Sequence, residues 1–353
     1  MPPRRPQTLE SLLPPILSLL PNTYSAHQKA LTTTARLLHA SPPQYGLAIE
    51  ILFAVAKELL KAGEAGSGSE LGVRMINVMG EAGIEVNESS RANVTQLLAL
   101  TPAAGPWRKK LVEAAVKWTQ AHGQCPSGDP HLQQYIGEMY YKAYILVWLE
   151  RQYFSAEQHL LASGKRDASI VLADMMFECL IFLSQNRCGK GALDPGPFAL
   201  RGILPPLLHS PPSIVPAFTF LTTFLAHLTS PSSAFHASLA SSIPSQTSFS
   251  LPEIIVTASQ SLNFAQLALV TIQHAPAKGV SGVQARGTDG GIAREWRDLC
   301  ARYSKASPVV AQPEVQEALS QIATEVFLIP QPRSSSNNDL LQNLMGSLFG
   351  GGR

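Results

Sequence analysis

Apolar residues recur three and four positions apart along most of this chain, a spacing that gathers them on one side of a helix. Leu47, Ile51, Val55 and Leu59 form the plainest series and predict a helix over residues 44–62. The stretch YSAHQKALTTTARLLHA predicts another over 24–40, stopped by SPP. GEAGSGS then breaks the pattern, and Ser69 is the expected cap of a third helix reaching Met79. Further helices are expected over 88–100, 107–121, 130–149, 153–163, 168–185, 197–209, 214–229, 259–273, 291–304 and 313–327. Short helices in succession predict an all-α fold. The expected architecture is an α-solenoid of degenerate TPR- or HEAT-like hairpins, each burying its apolar face on the next.

One stretch breaks the helical period. SFSLPEIIVTASQS, residues 248–261, has a β-branched core and predicts a small β-hairpin near 248–258. A lone hairpin is marginal in water, so this one needs a helix or a partner to lean on. The Pro/Ser-rich 229–247 and Gly-rich 276–291 read as loops, and 331–353 as a flexible Gly-rich tail. The expected organisation is therefore an N-terminal half over 1–150, a C-terminal half over 151–330, and the tail. At the start of the chain, Pro14, Pro15 and Pro21 interrupt the leucines and no small-residue cleavage site follows, which argues against a signal peptide.

Charge changes the picture in the second half. Charged residues make up only 15% of the chain, and between Arg201 and Arg286 only Glu253 and Lys278 are charged. Within this region IVPAFTFLTTFLAHLT, residues 214–229, has the polarity of a candidate membrane span but not the length a bilayer requires. On a helical projection Phe218, Phe220, Leu221, Phe224, Leu225 and Leu228 take about half the circumference, while Thr219, Thr222, Thr223 and Ala226 take the rest. Such segregation predicts a helix packed against protein. The overall balance of 27 basic and 25 acidic residues leaves a net charge of +2, no footprint for nucleic acid.

The sequence offers no catalytic constellation. Cys125, Cys179, Cys188 and Cys300 are scattered, with no CxxC pair to suggest zinc or a disulfide framework. Glu157 and His159 stand two apart, which on a helix points them away from each other. CGKGALDPG lacks the phosphate-loop frame, and no GxSxG elbow or HExxH pair occurs. No enzyme, metal site or cofactor is expected.

SGDPHLQQYIGEMYYK, residues 127–142, followed by RQYFSAEQHLLAS, residues 151–163, resembles the Golgi to ER traffic protein 4 family. Members carry a Gly-Asp-Pro then Leu-His block and then a Tyr–x–x–Ala-Glu–x–His helix. Gly128, Asp129, Pro130 and Leu132 match, Gln133 stands where the family has His, and Tyr153, Ala156, Glu157 and His159 complete the motif. YSAHQKALTTTARL with GSGSEL resembles the family's N-terminal helices. SLNFAQLALVTIQ resembles its Asn-Phe–x–Gln-Leu helix, which there follows a small β-hairpin, and NDLLQNLMGSLFGG resembles its terminus. Between Lys142 and Arg151, where the family has a tight turn, most of AYILVWLE is extra. It either lengthens the first helix or is a translated intron.

The resemblance implies a cytosolic adaptor in the targeting of tail-anchored membrane proteins to the ER. Its N-terminal half would dock the targeting ATPase, and its C-terminal half would hold a ubiquitin-like partner with help from the hairpin. Carried over from the matching blocks, ATPase docking is expected at Tyr24, His27, Gln28, Lys29, Arg36 and Glu70. The ubiquitin-like partner is expected at Ile254, Ile255, Val256, Asn263, Phe264 and Leu267. The charge-poor half is then the half kept covered by a partner. The alternative is a helical-repeat scaffold subunit of another assembly, such as a lid or signalosome complex; what co-purifies separates the two.

Overall fold

Each predicted helix has a counterpart in the structure, a computed structural model that describes residues 8–147, 150–186, 193–209, 212–231, 233, 235, 254–275 and 283–329. For 143–147, 150–152 and 283–290 it describes the backbone only. Among the described residues there is no strand. The chain divides into two compact units, Met1–Ser163 and Gly164–Arg353.

The first unit begins with two single turns, α1 (Leu9–Leu12) and α2 (Pro14–Leu17), where prolines open a helix that they cannot continue. Then come α3 (Thr23–Leu38), α4 (Tyr45–Lys61), α5 (Ala65–Glu81), α6 (Glu88–Leu100) and α7 (Trp107–His122), followed by α8 (Pro130–Val147) and α9 (Glu150–Ser163). Helix α3 packs on α4, α4 on α5, α5 beside α7, and α8 against α9. Ile51, Val55 and Leu59 are fully buried, in one cluster with Leu37, Leu71, Met75, Leu97 and Leu111. Burying each such side chain stabilises by roughly 1.5–3 kcal/mol. Helix α8 runs on as helix to Val147, through most of the extra segment; Trp148 and Leu149 lie outside the described residues.

Helix α5 starts at Ala65, earlier than GEAGSGS suggested, so Ser69 is a buried helical residue and not a cap. The glycines are there for closeness. A Cβ on Gly68 would stand 2.6 Å from Leu60 Cγ, and one on Gly66 would stand 3.3 Å from the Trp107 ring. Gly72 meets Leu111 and Gly80 meets His122 in the same order, so α5 and α7 run side by side in the same direction.

The second unit holds α10 (Arg166–Gln185), α11 (Gly196–Leu207), α12 (Ile214–Thr229), α13 (Gln260–Gln273), α14 (Val283–Ala306) and α15 (Pro313–Phe327). Helix α11 is buried along its whole length and packs on α12 and α13; α10 packs on α12, α13 on α14, and α14 on α15. Helix α14 starts inside the stretch expected to be a Gly-rich loop. Trp296, stacked on Phe327 at 4.9 Å, anchors its middle. A helix nucleated there extends back through Gly287, Gly290 and Gly291 at a cost of about 1 kcal/mol each.

The uncharged stretch becomes α12. It buries Ala217, Phe220, Leu221, Phe224 and Leu228 and turns Val215, Thr222 and Ala226 outward. Among the described residues no helix is long and apolar enough to cross a membrane. The expected hairpin falls partly on 248–253, outside the described residues, and 254–257 form no strand. The backbone there is bonded by side chains of α13 in place of a second strand.

Close packing gives the first prediction. Gly202 of α11 faces the Phe220 ring of α12 with no room for a methyl group, whereas Gly46 of α4 has nothing within 4 Å of such a group. Thermal unfolding should show Gly202→Ala destabilised by about 2 kcal/mol, and Gly46→Ala unchanged or up to about 1 kcal/mol more stable.

Candidate functional site

Three places gather the residues singled out by sequence. The first is the outer side of α3 and α5. Asn22 caps α3 by accepting from the Ser25 N–H at 3.1 Å. From there Tyr24, Gln28, Lys29 and Arg36 all face outward, with Tyr24 69% exposed. Lys29 and Arg36, seven apart, share one stripe two turns long, and neither has an acidic partner among the described residues. His27 is different. It is buried, with Nε2 3.3 Å from Glu70 Oε2, an ion-pairing distance without hydrogen-bond geometry. His27 therefore ties α3 to α5 and sets the place of the exposed Glu70 carboxylate; it is not itself part of the outer surface.

The second place is the Gly-Asp-Pro block, and it is a joint. Gly128 sits at φ +96°, where a Cβ would press within 3.0 Å of both Gln133 and Thr119. Asp129 Oδ1 accepts the Leu132 N–H at 2.8 Å and so caps α8, while Arg91 holds both carboxylate oxygens at 3.1 Å. His159 of α9 donates from Nδ1 to Gln133 Oε1 at 2.6 Å, and the Gln133 amide nitrogen donates to the Ser127 carbonyl. Ser163, at the end of α9, donates to the Pro130 carbonyl at the start of α8 at 2.9 Å. Asp129, Gln133, His159 and Ser163 thus all bond within the fold, and Glu157 is fully buried. The motif positions helices.

The third place is the segment 254–257 against α13. The Ile255 N–H donates to Gln266 Oε1 at 2.9 Å and Gln266 Nε2 donates back to the Ile255 carbonyl at 2.8 Å. The Thr257 N–H donates to Asn263 Oδ1 at 2.8 Å and Asn263 Nδ2 donates to the Thr257 carbonyl at 2.7 Å. Bonding at alternate residues is what one edge of a strand presents. Two amides three apart on a helix here do the work of a neighbouring strand. Val256 is 41% exposed and Ile254 half-buried; the Val256 backbone has no partner among the described residues. Ile254 joins Phe218, Leu221, Leu225, Leu269 and Val270 along a shallow apolar groove between α12 and α13.

Of the six residues expected at this third place, Ile254, Ile255, Val256 and Leu267 reach the surface wholly or in part. Asn263 and Phe264 do not: Asn263 is the buried clamp, and Phe264 is fully buried, 5.5 Å from the Tyr303 ring. Gln266 was missed by sequence reasoning, although its spacing from Asn263 and the β-branched run before it were the available signal. No group of three potential metal ligands occurs among the described residues.

The joint titrates. Burial pushes the His159 imidazole down from 6.5 to about 4. The unfolded chain then binds this proton more readily than the folded one between pH 6.5 and 4. Stability is full above that window and falls through it, by up to roughly 3 kcal/mol. Denaturant unfolding at pH 7.5 and 4.5 should therefore show a smaller acid-induced loss in His159→Gln than in the parent chain. An identical loss would assign the acid sensitivity elsewhere.

Known proteins share this architecture. A profile of the family Golgi to ER traffic protein 4 matches residues 43–349. Golgi to ER traffic protein 4 of Aspergillus fumigatus is 26% identical over 341 residues, covering 93% of this chain and 86% of that protein. The homolog from Homo sapiens is 24% identical over 328 residues, covering 93% and 82%. The crystal structure of C. therm. Get4 aligns with a TM-score of 0.72 at 25% identity, covering 98% of this chain and 97% of that one. With helices α4 to α15, the Asp129 joint and the Asn-Phe–x–Gln-Leu clamp inside the matched span, the chain belongs to the Golgi to ER traffic protein 4 family.

Proposed function

We propose that the chain is an adaptor in the delivery of tail-anchored membrane proteins to the ER, bridging a targeting ATPase and a ubiquitin-like partner in the cytosol. The family assignment, with its role in Golgi to ER traffic, is the observation that carries this reading. The geometry supports its details. The α3–α5 face, with Tyr24, Gln28, Lys29, Arg36 and Glu70 outward, suits a reversible contact governed by charge. The groove beside Ile254 and Val256 is apolar and nearly free of charge, which suits a lasting contact that buries it at about 25 cal/mol per Å² before association costs. The open edge of 254–257 adds backbone groups that a partner strand or loop can satisfy. The helices would act as a solenoid that holds the two faces on one chain.

Two outcomes test the two faces separately. Lys29→Glu with Arg36→Glu should weaken retention of the ATPase about tenfold at low salt and leave the ubiquitin-like partner bound; full retention of both refutes the assignment of the α3–α5 face. Val256→Asp changes an exposed side chain and should leave thermal unfolding within about 0.5 kcal/mol of the parent, yet abolish co-purification of the ubiquitin-like partner. A second route reaches the same segment from beneath. Asn263→Ala with Gln266→Ala unclamps it and should weaken the same partner while leaving the ATPase in place.

A further inference from the structure

We infer that the groove between α5 and α7 binds an acidic amphipathic helix of a partner protein, with two carboxylates reaching Lys110 and Lys117. The groove has about 500 Å³ of open space, bordered by Ser69, Glu70, Val73 and Asn77 of α5 and by Trp107, Lys110, Glu113, Ala114 and Lys117 of α7. Side chains at 107, 110, 114 and 117 fall on one stripe of α7, and those at 70, 73 and 77 on one stripe of α5. Val73 and Ala114, both half-buried, give the groove an apolar floor.

Charge selects the occupant. The first turn of α7 reads Trp-Arg-Lys-Lys with no acidic residue, and Pro106 provides no side-chain cap. Cations at a helix N-terminus oppose the helix dipole, and an incoming carboxylate relieves both. Each acid on the border stands beside a basic group of the fold, Glu113 3.8 Å from Lys109 and Glu70 3.3 Å from His27. Arg108 is likewise committed, donating to the Thr101 carbonyl. Lys110 and Lys117 are exposed and have no ion-pair partner among the described residues; Lys110 rests over the Trp107 ring at 4.9 Å.

A second observation points the same way. The Ser69 hydroxyl borders this groove, is 1% exposed, and has no hydrogen-bond partner among the described residues. A buried hydroxyl without a partner costs about 1–3 kcal/mol, which a polar group of an occupant recovers. Lys110 and Lys117 are about 10 Å apart along α7. Two acids seven residues apart on a helix match that distance and leave apolar side chains between them for Val73 and Ala114.

The test uses the full chain and a fluorescein-labelled helical peptide with glutamates seven apart and leucines between them, followed by anisotropy. Saturable binding is expected, weakened about tenfold by Lys110→Glu with Lys117→Glu and weakened again as salt rises. Arg302→Glu with Lys305→Glu, the same charge change on an exposed stretch of α14, should leave it unchanged. Ser69→Ala should bind the peptide more weakly while unfolding at the same or a higher temperature, a pairing that a purely structural serine would not produce. Lys110→Gln with Lys117→Gln repeats the measurement should the reversed variant fail to fold. Absence of saturable peptide binding, or equal loss in the α7 and α14 variants, overturns the inference. Either result leaves the α3–α5 and 254–257 faces untouched, because neither variant alters them.

Discussion

Both units depend on the burial of one apolar stripe per helix against a neighbour. Helices of this length are marginal alone in water, since the cost of nucleating the first turn is recovered only by packing. Ile51, Val55 and Leu59 illustrate the point in α4, buried between α3 and α5. Where two helices must approach closely, the chain gives up side chains. Gly66, Gly68 and Gly72 lie in α5 where larger residues would meet Trp107, Leu60 and Leu111, and Gly202 lets Phe220 lie against α11. Each glycine costs helix propensity and returns contact area.

The same constraint governs polar groups in the charge-poor second unit. With almost no charged side chains between Arg201 and Arg286, backbone groups there must be bonded by neutral partners. Asn263 and Gln266 meet that need by clamping Ile255 and Thr257. Where α11 and α13 begin, a carboxylate from outside that stretch, Asp194, takes this part. It accepts the Gly196 N–H at 2.9 Å and the hydroxyls of Ser259 and Ser261. On α12, His227 pairs with Asp174 at 2.7 Å and stacks on Phe177.

Helix positions were legible because the 3.6-residue period is local, and α4, α6, α7 and α12 fall where it puts them. The starts of α5 and α14 were not, because a glycine reads as a break until the neighbour it admits is known; Trp107 lies some forty residues from Gly66, and Phe327 about thirty from Trp296. Site residues were legible as positions and not as directions. His27, Asn263 and Phe264 lie within the matching blocks, yet all three are buried, because a resemblance transmits which residues recur and not which way they point. The α5–α7 groove had no sequence signal, since it arises only when Ser69 and Lys110 are brought side by side.

The joint at Asp129 shows why recurrence and surface contact should be kept apart. Where the family has His, this chain has Gln133, and the exchange is chemically coherent. Gln133 presents an acceptor to His159 Nδ1 and a donor to the Ser127 carbonyl, a pair of roles that a neutral imidazole also offers through its two nitrogens. What the position requires is therefore one acceptor and one donor held between α8 and α9, and two side chains of different shape meet it. The bonds of this joint fix the relative placement of the helices. Lys29 and Arg36 on the outer face of α3, by contrast, have no acidic partner among the described residues, so polar groups turned into the fold and charge turned outward occur within the same set of matching blocks.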